Sequence, residues 1–145
     1  MGMPRSSLRI VRITAGLVLA LTAMGLSGCT VFAPSYGVLD REAEPADAVP
    51  DAVAEQDSGD VADLSSARLV GEHSGSSIWL LRGVEQGTVC VLAFPGDDEW
   101  GMACGGEGAP VEMSGPAGHF VTVPDDYPTP DGATRVSDNV YALSP

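Results

Sequence analysis

The chain contains no lysine: its seven basic side chains are all arginine, against 20 aspartates and glutamates. Three of these, Arg5, Arg9 and Arg12, precede residue 29, and none of the acids does. From Cys29 onward four arginines face twenty acids, a net charge of −16. Such a surface repels phosphate backbones, which excludes nucleic acid as a partner. At 145 residues the chain is too short for a solute-binding clamshell or a multidomain enzyme and has room for one small domain. Close metal-ligand pairs are also missing. The three cysteines form no C-x-x-C, and His73 and His119 stand alone, so no structural zinc site is expected.

No apolar run reaches the roughly 20 residues that span a bilayer as a helix. The longest, Ile13 to Leu26, has 14 residues and follows Arg5, Arg9 and Arg12. A basic flank, a short apolar centre and small residues at the end mark a secretory signal peptide. Arg9 and Arg12 are not adjacent, so no twin-arginine signal directs a folded export route. The run closes with Leu26-Ser27-Gly28-Cys29, which resembles the lipobox of bacterial lipoproteins. That resemblance implies that residues 1–28 are removed and that the Cys29 thiol carries a diacylglyceryl group, with palmitate-like chains. Two acyl chains would hold the protein on the extracytoplasmic face of the cell membrane without spanning it.

Residues 29–63 are expected to form the anchor and a stalk. Nine acids, one arginine (Arg41) and three prolines lie between residues 30 and 63. A segment that repels itself and has little to bury is expected to be mostly disordered, a spacer of roughly 30–35 Å. Val38-Leu39 and Ala48-Val49 are the apolar pairs that could instead dock on the domain.

From Leu64 to Pro145 short apolar runs alternate with glycine, proline, aspartate and serine. Strands are expected at 67–70, 77–82, 88–94, 100–104, 111–113, 119–123, 134–137 and 140–143. Turn signals about every ten residues indicate an all-β fold, a small antiparallel sandwich or barrel of about six to eight strands. With Cys29 acylated, Cys90 and Cys104 remain as an even pair in an exported chain, expected to form one disulfide. A hairpin centred on Asp97 sets Cys90 opposite Cys104, Leu92 opposite Met102 and Phe94 opposite Trp100, all on one face. Val89, Val91 and Ala93 then occupy the other face. They too are apolar, so the strand is central or covered by another segment such as Asp40–Pro50.

No residue pattern carries a reaction. His73-Ser74-Gly75-Ser76 holds hydrolase residue types but no G-x-S-x-G elbow, and it reads as a hairpin turn. His119 opens a strand. Asp97-Asp98-Glu99 and Asp125-Asp126 are carboxylate clusters without a calcium-loop pattern and read as solvated turns. Gly105-Gly106-Glu107-Gly108 is a loop, not a phosphate cradle. Trp79, in a strand apolar on both faces, is expected in the core.

Pieces of the domain resemble small, uncharacterised exported proteins of high-GC Gram-positive bacteria: Asp40-Arg41-Glu42, Asp47-Ala48-Val49-Pro50, 67–72, 89–92, Trp100 with Cys104, and 136–140. The resemblance implies no activity, but it implies that residues 40–50 do more than fill space. The expectation is a lipid-anchored surface protein whose β domain is a non-catalytic interaction module for an envelope protein or ligand, with no cofactor. A calcium- or small-ligand-binding module using Asp97 and Asp98 is one alternative. A small envelope hydrolase using His73 or His119 is the other.

Overall fold

A computed structural model describes residues 33–56, 60–96 and 99–144. The expected signal peptide, Cys29, Asp97 and Asp98 lie outside the described residues. Eight strands build two four-stranded antiparallel sheets. The first sheet is a meander of β1 (Ala62–His73), β2 (Ser76–Gly83), β3 (Thr88–Phe94) and β4 (Gly101–Gly106), in that order. The second contains β5 (Val111–Gly115), β6 (Gly118–Thr122), β7 (Thr134–Arg135) and β8 (Val140–Ala142), in the order β5-β6-β8-β7. All eight expected strands are present, and of the two expected all-β forms, sandwich or barrel, the two sheets make the sandwich.

The hairpin register is the one expected from the sequence. Cys90 pairs with Cys104, Leu92 with Met102 and Ala93 with Gly101. The Cys90–Cys104 disulfide closes across directly opposed positions whose Cα atoms are 4.0 Å apart. Phe94 and Trp100 pack in the same cluster as the disulfide, so they share its face. Their rings are only half-buried because they sit where the hairpin opens.

Alternation in β2 and β3 sends side chains to both faces of the first sheet. Ile78, Leu80, Val89, Val91 and Ala93 meet Val111, Met113, Phe120 and Val140 between the sheets. Trp79, Leu81, Cys90 and Leu92 point the other way. Burying β2 and β3 on both sides therefore requires a third layer. The layer is supplied by the acidic segment.

Residues 33–56 correct the expectation of a disordered stalk. They form two 3-10 turns, Gly37–Asp40 and Pro45–Asp47, and helix α1 (Asp51–Gln56). Val53 is fully buried, and with Val49 it packs against Trp79, Leu81 and the disulfide. Leu39 and Tyr36 are buried at the edge of the inter-sheet core, beside Val38. Docking thus involves both apolar pairs singled out in the sequence, and the domain begins well before Leu64. β3 is the central strand that its two apolar faces require: the second sheet covers Val89, Val91 and Ala93, while Val49 and Val53 of the acidic segment cover the disulfide face instead.

β1 is longer than its apolar core, Ala67–Val70, because two register shifts carry it through polar residues. Asp63 accepts from the Ser65 N–H and hydroxyl, and the Ser66 hydroxyl accepts from the Arg82 N–H at 2.7 Å. Side chains there replace ladder bonds, which hides the strand's period from a sequence reading.

Candidate functional site

Two polar networks pin the acidic segment, and each begins with residues that reading by composition treats as spacer. Asp47 is 3% exposed. Its two carboxylate oxygens accept from the two terminal nitrogens of Arg41, each at 2.6 Å. They also accept from the N–H groups of Glu44 and Leu69, both at 2.8 Å. The Arg41 hydrogen bonds come first in holding this carboxyl far below the usual carboxylate range, against the opposing effect of burial; the two N–H donors add to them. The Leu69 N–H belongs to β1, so one carboxylate joins the acidic segment to the first sheet. Arg68 completes the junction. Its guanidinium donates twice to the Arg41 carbonyl, at 3.0 and 2.8 Å, and once to the Ala67 carbonyl.

The second network ties the start of the described chain to the loop after β6. The Asp125 N–H donates to the Ser35 carbonyl at 2.8 Å. One Asp125 oxygen accepts from the Gly37 N–H at 2.7 Å and the Ser35 hydroxyl at 3.0 Å. The other accepts from the Asn139 amide at 2.9 Å, and that amide also donates to the Val123 carbonyl. Partial burial opposes the Asp125 charge, but the bonds from Asn139, Gly37 and Ser35 outweigh it and lower the carboxyl. Beside this seam, burial pushes the Tyr36 phenol up to about 12. The facing Thr122 hydroxyl is already committed to the Asn139 carbonyl, and the phenol oxygen has no well-aligned partner among the described residues.

The candidate binding surface lies elsewhere, where the β1–β2 and β5–β6 turns meet. An open cleft of about 480 Å³ is lined by His73, Ser74, Ser114, His119, Phe120 and Thr134, among others. The fold therefore brings together the two histidines that the sequence separates by 46 positions. His73 sets its ring edge-on to Phe120, with centroids 6.1 Å apart. His119 Nε2 lies 2.5 Å from a Glu112 carboxylate oxygen. Ser114 is directly opposite His119 in the ladder, yet no hydrogen bond joins a serine hydroxyl to either imidazole among the described residues. Ser74 occupies a left-handed turn position, φ 50°, as a hairpin-turn residue does. The cleft is lined by both polar side chains, such as Ser114 and Thr134, and apolar ones, such as Phe120 and Leu143.

The other sequence candidates fall into place around this site. Trp79 is a core residue, 5% exposed. Asp125 is an internal latch and Asp126, at φ 58°, a turn residue. Asp97 and Asp98 lie outside the described residues, and among the described residues no three His, Cys, Asp or Glu side chains gather as a metal site. Neither latch is legible in the sequence, because most of the partners of Asp47 and Asp125 lie far along the chain, up to 90 positions away. The only signal was the resemblance carried by 40–42, 47–50 and 136–140. The chain matches no protein-family model, no curated protein sequence and no solved structure.

Proposed function

We propose that the chain is a lipid-anchored protein on the extracytoplasmic face of the cell membrane, and that its small β domain is a non-catalytic interaction module. The observation that carries this reading is Leu26-Ser27-Gly28-Cys29 behind a basic flank and a 14-residue apolar run. The disulfide supports it, because such bonds persist in exported chains and are rare in reducing compartments. The interaction reading is supported by the cleft, whose His119 is held by Glu112 and is not poised on a hydroxyl. Metabolic labelling with a fatty acid tests the anchor. The wild-type chain takes up label and Cys29→Ala does not; label persisting in the variant refutes the reading.

A hydrolase is the second reading, favoured only by the sharing of one cleft by His73 and His119. Replacing both with alanine tests it: an unchanged cellular phenotype removes the enzyme.

A further inference from the structure

The strands of the second sheet connect two ends of the domain that differ in kind. β6 starts at Gly118, which lines the histidine cleft, and stops at Thr122, just before Pro124 at the Ser35–Asp125 seam. β5 runs antiparallel to it, from near Gly108 at the seam to Gly115 at the cleft. β8 leaves Asn139, a seam residue, and ends at Ala142 in the cleft. Seam and cleft are opposite ends of the same three strands.

The chain enters the domain at the seam. A Cβ at Gly108 would lie 3.7 Å from the Pro34 ring, and Ser35 is held by Asp125 on both backbone and side chain. Pro34 stands five residues after Cys29. Five residues of chain reach at most about 17 Å. The cleft lies a further strand length away, about 13–17 Å at 3.3 Å per residue. The seam end also presents Tyr127, 40% exposed, whose N–H bonds the Pro124 carbonyl at 3.2 Å. An aromatic body with a polar tip suits the headgroup level of a bilayer.

We propose that the end of the sandwich bearing Pro34, Gly108, Pro124 and Tyr127 rests against the lipid headgroups, and that the His73–His119 cleft opens away from the membrane. This rests on the lipid-anchor reading. The occupant of the seam end is the headgroup layer that holds the acyl chains. The acidic domain is repelled by anionic lipid, so the contact is superficial and the short tether maintains it. A partner is then met at the outward cleft.

The test uses the full acylated chain in phosphatidylcholine vesicles, with one reporter thiol at either end. Gly108 and Gly115 both tolerate a side chain: the first meets only Pro34, the second open space. Gly108→Cys and Gly115→Cys are each labelled with a fluorophore, and quenching by nitroxide on the lipid headgroups is measured. The Gly108→Cys label should be quenched severalfold more strongly. Equal quenching, or stronger quenching at Gly115→Cys, with both chains retained on the vesicles, overturns the orientation and leaves the anchor standing. Loss of both chains from sedimented vesicles overturns the anchor, and the orientation with it.

Discussion

Arg41 and Asp47 meet in a two-pronged pair, both nitrogen–oxygen distances 2.6 Å, and this pair turns an acidic stretch into a layer of the fold. The carboxylate is 4% exposed and the guanidinium 35%, so the acid gives up nearly all its water and the base much less. Paired guanidinium bonds and two backbone N–H groups replace that water. Without them the charge of Asp47 would keep residues 42–50 in solvent.

Asp47→Ala should therefore destabilise the domain by about 1.5–3 kcal/mol, the range for hydrogen bonds to a charged group. Exposed Asp40, paired with Arg82 at 2.5 Å, is the control. Asp40→Ala should cost no more than about 1 kcal/mol. Urea unfolding of the two variants measures the difference, and equal losses would contradict the assignment.

Stability should fall on acidification, with a sign set by two carboxyls. Asp47 and Asp125 are both lowered in the folded state. In the window below the ordinary carboxylate range the unfolded chain binds more protons, so unfolding becomes easier as pH falls. Their contribution is complete above about pH 4–5 and is lost progressively below it. Denaturation midpoints measured from pH 7 to pH 2 should drop for the wild type and drop less steeply for Asp47→Asn.

Asp125→Ala removes the acceptor shared by Gly37, Ser35 and Asn139. The expected result is local: amide exchange at Gly37 accelerates, while β3 amides between Val89 and Ala93 keep their protection. Uniform acceleration across the domain would show that the seam is part of the global folding unit.

The disulfide joins residues 14 positions apart. Closing a loop of that size contributes about 3 kcal/mol in the chain-entropy model. The Cys90→Ala/Cys104→Ala double variant should lose about that much, and the folded wild-type domain without residues 1–29 should show no reactive thiol.

The two tryptophans should differ in cost. Trp79 is 5% exposed between α1 and the first sheet, and Trp79→Ala should cost about 3–5 kcal/mol. Trp100 is half-buried at the hairpin mouth, so Trp100→Ala should cost clearly less. Tryptophan emission of the single variants provides a second readout, with the chain that retains Trp79 the more blue-shifted.

Strand positions and the β3–β4 register were legible because they are local. Period-two alternation, a Pro-Gly turn and paired cysteines act within 20 residues of one another, so spacing alone specifies which side chains share a face. The full length of β1 is not legible, because Ser65, Ser66 and Gly71 break the alternation and the bonds that compensate come from side chains. The docking of the acidic segment is hidden for a related reason. Nine acids counted together predict repulsion, but Asp47, the buried acid among the described residues of the segment, is neutralised by Arg41 and held by an N–H supplied from β1.

By itself the sequence determined the β class and the hairpin that closes on Cys90 and Cys104. Each rests on residues close together in the chain, where covalent geometry does the placing. Only the tertiary structure decided that residues 33–56 form a third layer, that Asp125 receives the entering chain, and that His73 and His119 line one cleft. Those contacts join distant residues, and whether a charge or an imidazole faces solvent, a partner or its own backbone depends on what folding brings beside it.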